Sequence, residues 1–133
     1  MTTRQVLRKA TLALSLCSAA LLSACSGATR SGTSYTLKPD REIEAFLPGD
    51  LDKVHKAAED TVRDDLSYRI TRTGKDAREG FVEALTAKGD IVRVETYRSG
   101  DKVTRTEIFV GPLGDEEAMR DVLDALTRTL ERR

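Results

Sequence analysis

The stretch that ends at residue 25 limits this chain more than any other. Met1 to Lys9 carries Arg4, Arg8 and Lys9 and no acid, and Ala10 to Leu22, ATLALSLCSAALL, holds no charge at all. A helix needs about 20 apolar residues to cross a bilayer, so a run this short behind a cationic start reads as the apolar core of a secretory signal. Residues 1–24 are therefore expected to be removed. Whatever the chain folds into must then be built from residues 25–133.

Leu22-Ser23-Ala24-Cys25 resembles the lipobox of bacterial lipoproteins. That resemblance implies that Leu22, Ser23 and Ala24 are read by the signal peptidase. Cys25 would receive diacylglycerol on its thiol, become the first residue, and carry fatty acyl chains such as palmitate. The alternative is a general secretory signal cut after Ala24, with Cys25 an ordinary thiol. Each buried acyl CH₂ contributes about 0.8 kcal/mol, so two or three long chains make a lasting membrane anchor. By the same resemblance the residue after the Cys sorts the product. Ser26, in place of an Asp, points to the outer membrane with the domain facing the periplasm.

The signal also changes the inventory of side chains. The whole chain has 22 Lys+Arg against 22 Asp+Glu, one His, two Cys and no Trp. Without Arg4, Arg8 and Lys9 it is slightly acidic, which disfavours a polybasic nucleic-acid binder. Cys17 leaves with the signal and lipid consumes Cys25. The mature domain is then expected to have no disulfide, no thiolate nucleophile and no Cys metal site.

Residues 25–40 read as the lipidated Cys25 and a flexible tether, because SGATRSGTSYTLKPD is rich in Ser, Thr and Gly. Such a tether would reach about 50 Å stretched and about 20 Å as a coil, although Ser34 to Leu37 also has the pattern of a first strand. Residues 41–133 read as one domain. Arg41 to Leu47 alternates and stops at Pro48-Gly49. Asp50 then caps a helix whose stripe is Leu51, Val54, Ala58, Val62 and Leu66. In Ser67 to Thr73, the residues Tyr68, Ile70 and Arg72 alternate against Arg69, Thr71 and Thr73, ahead of a Gly74-Lys75-Asp76 turn. Glu79 to Ala87, Asp90 to Tyr97 and Val103 to Val110 are strands joined by Gly-containing hairpin turns. Asp115-Glu116-Glu117 opens a last helix with Met119, Val122, Leu123, Leu126 and Leu130 on one face.

The expected fold is α+β, of order β-α-β-β-β-β-α, an antiparallel sheet with both helices on one face. Composition leaves open whether the sheet is flat or curls around the last helix in a helix-grip-like shape.

Chemistry-bearing patterns are sparse. His55 has no second His, Gly-x-Ser-x-Gly turn or HExxH helix to work with, so it reads as a packing residue. Asp64-Asp65 and Asp115-Glu116-Glu117 lack the alternating oxygen ligands of a calcium loop and read as helix-end charge. No catalytic residue, metal or cofactor is expected. The sheet's other face is more suggestive. If Val92, Val94, Thr96, Thr106, Ile108 and Val110 face the helices, period two turns Arg93, Tyr97, Arg105 and Phe109 outward. Tyr, Phe and Arg are enriched at protein-contact hot spots, so these four are candidates for a partner surface. The alternative is a solvated face laced by Arg–Glu pairs.

Leu47-Pro48-Gly49-Asp50-Leu51-Asp52-Lys53-Val54, Phe109-Val110-Gly111-Pro112-Leu113-Gly114-Asp115-Glu116 and the lipobox together resemble the small bacterial lipoproteins of domain of unknown function 3568. Those relatives tend to have an aromatic, often Trp, after the Lys-Val of the first helix. This chain has His55 there, which suits a flat side chain in an aromatic slot. The family carries no activity to transfer. The expectation is a non-enzymatic, lipid-anchored envelope protein with an envelope-protein partner and no nucleic-acid partner. The alternative is a binding protein holding a small apolar or lipid ligand between the sheet and Val122, Leu126 and Leu130.

Overall fold

The computed structural model describes residues 25–133, and the signal-peptide positions, Leu22, Ser23 and Ala24 among them, lie outside the described residues. The α+β fold with helices and strands in the expected order is present. The strands are β1 (Ser26–Ala28), β2 (Ser34–Leu37), β3 (Ile43–Pro48), β4 (Arg69–Lys75), β5 (Glu79–Leu85), β6 (Ile91–Arg98) and β7 (Val103–Val110). The helices are α1 (Leu51–Asp60) and α2 (Glu116–Glu131). All strand pairs are antiparallel, in the spatial order β1-β2-β3-β7-β6-β5-β4. The four strands β4 to β7 form the expected meander, and β3 closes against its last strand.

Both helices cover the same face of the sheet. Asp50 caps α1 by accepting from Lys53 N–H at 2.8 Å, and Asp115 caps α2 by accepting from Ala118 N–H at 3.1 Å. Under them Val92, Val94 and Thr96 of β6 lie opposite Val110, Ile108 and Thr106 of β7, and all six are buried. Leu47, Val54, Met119, Leu123 and Leu126 join them in one continuous core.

Three corrections follow from particular residues. Residues 26–40 are no loose tether, because β1 and β2 form a hairpin added to the sheet edge. Gly27 makes this pairing possible: a Cβ there would sit 2.4 Å from the Tyr35 hydroxyl oxygen. The Tyr35 hydroxyl in turn donates to Glu116 at 2.9 Å. Ser31 N–H donates to Asp124 at 2.7 Å, which fastens the hairpin turn to α2.

Second, α1 does not run on as a regular helix to Leu66. Its last turn, Thr61–Asp65, is π-helical, with Leu66 N–H donating to Thr61 C=O at 2.9 Å. The turn sets Thr61 to donate to Thr129 of α2 at 2.9 Å, while Thr129 donates to Asp65 at 2.6 Å. Third, β4 runs through Gly74 and Lys75, so the turn falls later. There Asp76 accepts from Arg78 and Glu79 N–H at 2.7 and 2.9 Å. A register shift between Ile70 and Arg72 leaves Thr71 as the extra residue of a bulge. Ile70 pairs with inward Ala84, and Arg72, past the bulge, pairs with outward Glu83. Arg72 therefore lies on the face opposite the one its alternation with Tyr68 and Ile70 predicts.

Candidate functional site: the uncovered face of the sheet

Hairpin register brings the four outward candidates into two cross-strand pairs. Tyr97 of β6 lies opposite Arg105 of β7, and Arg93 opposite Phe109. In both pairs the guanidinium stands over the ring, 4.4 Å from the Tyr97 centroid and 5.6 Å from that of Phe109. The bulge in β4 adds a third pair that the outward set from β6 and β7 does not contain, with Arg72 at 5.3 Å over Phe81. Each such contact stabilises an exposed site by about 0.5–1 kcal/mol. Phe46 of β3, next to Arg105 in the same row, is 57% exposed and extends the aromatic strip.

Between the aromatic pairs runs a row of like charges. Glu44, Glu107 and Glu95 stand side by side on β3, β7 and β6. Carboxylates directly opposite one another repel. Arg105 lies 3.4 Å from Glu44 and 3.2 Å from Glu107, and Lys38, from the turn after β2, reaches Glu107 at 3.2 Å. Glu107 is only 7% exposed, so these two cations stand in for lost water. Burial works against the Lys38 ammonium, but its bonds to Asp40 and Glu107 outweigh that and raise its pKa above the usual lysine value. Burial, then the hydrogen bond to Glu95 at 2.8 Å, raises the Tyr97 hydroxyl above its ordinary value. Tyr97 therefore stays neutral and serves as a donor. Among the described residues no group of three or more His, Cys, Asp or Glu is arranged to hold a metal ion.

The remaining candidates have other places. His55 is 5% exposed and lies against Gly80 of β5, where a Cβ would come within 2.6 Å of its Nδ1. Its Nε2 is 3.5 Å from both Glu59 and Thr73, and its Nδ1 has no partner. Burial, opposed by Glu59 and aided by Lys75, pulls its pKa below the ordinary 6.5. The glycine opposite makes the slot for the ring, and the Thr73 hydroxyl beside it donates to Glu59 at 2.7 Å. Asp65 is tied to Arg132 at 2.7 Å as well as to Thr129, and Glu116 to Tyr35, so both acidic runs hold helix ends. Val122, Leu126 and Leu130 are buried in the core. Two open clefts lie elsewhere. One of about 560 Å³ opens between the β1–β2 hairpin and β3 and is bordered by Thr127 and Glu131 of α2, and one of about 480 Å³ lies between the 86–90 turn and the 111–115 loop. Cys25 is exposed at the start of β1. Among the described residues no helix is long and apolar enough to cross a membrane.

These features define a small α+β protein with one sheet face closed by two helices and the other open, armed with arginine-capped aromatics. Residues 5–129 match the family of proteins of unknown function DUF3568, and the chain belongs to that family. No significant match is found among curated proteins.

Proposed function

We propose that this protein is a non-enzymatic envelope module, anchored by lipid on Cys25 and facing the periplasm from the outer membrane, that works by contacting another envelope protein. The open sheet face carries the reading. Tyr97, Phe109 and Phe81 are each held under an arginine, which limits what their side chains lose in freedom when a partner covers them. The Arg105 and Arg93 side chains remain 38% exposed and so within reach of a partner. The anchor is supported by the lipobox pattern and by the exposed position of Cys25 ahead of β1. The ligand alternative needs space beside Val122, Leu126 and Leu130, and their burial in the continuous core favours protein contact over it.

The test is affinity capture from cross-linked cells with Tyr97→Ala/Phe109→Ala set against the unaltered protein. The expected result is loss of one or more specific envelope proteins at unchanged protein level and unchanged acylation. Capture of the same set by both would sink the reading. Cys25→Ala is expected to leave the protein unprocessed or released from membranes, and Ser26→Asp to move it toward the inner membrane in a sucrose gradient.

A further inference from the structure

Cys25 has almost no slack. Its carbonyl accepts from Leu37 N–H at 2.9 Å, the next residue begins β1, and the β1–β2 turn is fastened to α2. A lipid on this residue would hold the folded body itself at the bilayer. Strand directions say which end of the body that is. Ser26 pairs with Thr36, Leu37 with Ile43, Ile43 with Ile108, and Val110 with Val92. Cys25, the 38–41 turn, the end of β7 and the start of β6 therefore share one end of the sheet, and the 99–102 turn marks the other.

The Cys25 end also presents apolar side chains to solvent. Leu113, in the 111–114 loop, is 73% exposed, and Ile91 is 54% exposed. The loop is braced rather than slack. Gly111 N–H donates to Ile91 C=O and Asp115 N–H to Val110 C=O, both at 2.8 Å. Gly114 has φ +76°, and a Cβ there would lie 2.5 Å from the Arg41 carbonyl oxygen, so the loop abuts the 38–41 turn. From β1 to β7 is three strand spacings, about 15 Å, so anchor and loop fit within one footprint.

We propose that this end of the sheet is the membrane-apposed end: Leu113 and Ile91 enter the same phospholipid surface as the acyl chains on Cys25. The strands then stand along the bilayer normal, and the aromatic–arginine face is held side-on, within about 30 Å of the surface. The proposal rests on lipidation of Cys25, and the bilayer is the occupant because the missing tether brings it to this end. Lys38, Arg41 and Lys88 stand there among Asp40, Glu42, Asp90 and Asp115, so contact should not require anionic lipid.

The chain has no Trp, so one introduced Trp reports alone. Full-length Leu113→Trp, Ile91→Trp and, at the far end, Lys102→Trp are expressed, processed and reconstituted in phosphatidylethanolamine/phosphatidylglycerol vesicles with brominated acyl chains. The expected result is at least about twofold quenching at 113 and 91 and none at 102. Intact mass on the same samples reads acylation of Cys25. An acylated protein with 113 and 91 unquenched, or with 102 quenched instead, overturns the orientation and leaves the anchor standing. An unmodified Cys25 overturns the anchor and the orientation together.

Discussion

Strands β6 and β7 show two chemistries on their two sides. Toward the helices they offer Val92, Val94, Thr96, Thr106, Ile108 and Val110, all buried; away from them Arg93, Glu95, Tyr97, Arg105 and Phe109 are partly exposed. The inner side can be explained by stability alone. The outer side gains about 0.5–1 kcal/mol from each arginine–aromatic pair and little from its surface ion pairs, so stability rests on it far less. Under the proposed function, period-two alternation serves a core on one side and a contact surface on the other, and residues one apart answer to different pressures.

The largest effect expected to expose this contrast comes from neighbours in β7. Ile108→Ala should lower unfolding free energy by about 2–5 kcal/mol in urea titration. Phe109→Ala should cost about 1 kcal/mol, since it loses one partly exposed ring and its contact with Arg93. Equal losses would erase the distinction between the faces.

Next is Gly80→Ala, whose new Cβ meets His55 Nδ1 at 2.6 Å and Thr96 Oγ1 at 3.0 Å. A cost of about 1–3 kcal/mol is expected. His55→Ala in the same chain should recover part of it, and no recovery would mean that the ring does not occupy that slot.

A smaller effect is the pH dependence of His55. Its folded pKa lies below 6.5, so the unfolded chain binds the extra proton first and acid favours unfolding. This contribution is fully present above about pH 6.5 and declines as pH falls through that value. Glu59, Lys75 and Asp52 are the charged groups acting on the ring. His55→Phe should flatten the change in melting temperature between neutral and mildly acidic pH. An unchanged slope would place its origin elsewhere.

The smallest stability effect is expected from Arg105→Ala, at about 0.5–1 kcal/mol, because its pairs with Glu44 and the Tyr97 ring are half exposed and Lys38 still holds the buried Glu107 when Arg105 is gone. It is nevertheless expected to weaken partner capture as much as Tyr97→Ala does. A variant that leaves both capture and stability unchanged would reduce the outer face to a solvated surface.

What could be read from the sequence and what could not have physical causes. Tyr97, Arg105, Arg93 and Phe109 were legible because a short Gly-containing turn sets hairpin register, and register sets face. Both helices were legible from three-and-four spacing and from Asp50 and Asp115 as caps. Arg72 was not, because a bulge shifts facing without changing composition, and only the pairing with β5 shows that Thr71 is the extra residue. The N-terminal hairpin was hidden by Ser, Thr and Gly, which suit a linker as well as an edge strand. The signal was Gly27 spaced to receive Tyr35. The burial of Glu107 depends on Lys38, whose position follows from that hairpin, so it was out of reach of any local reading.

On the proposed function, the open sheet face, and not the rest of the surface, meets a protein partner. Site-specific photo-crosslinking in intact cells tests it most directly, with the photoreactive residue placed in turn at Tyr97, at Phe109 and at Lys53 on the exposed side of α1. Adducts of one shared mass are expected from positions 97 and 109, lost when Arg105→Glu is added, and none of that mass from position 53. The same adducts from all three positions, or none from 97 and 109 in an acylated, membrane-bound protein, would contradict it.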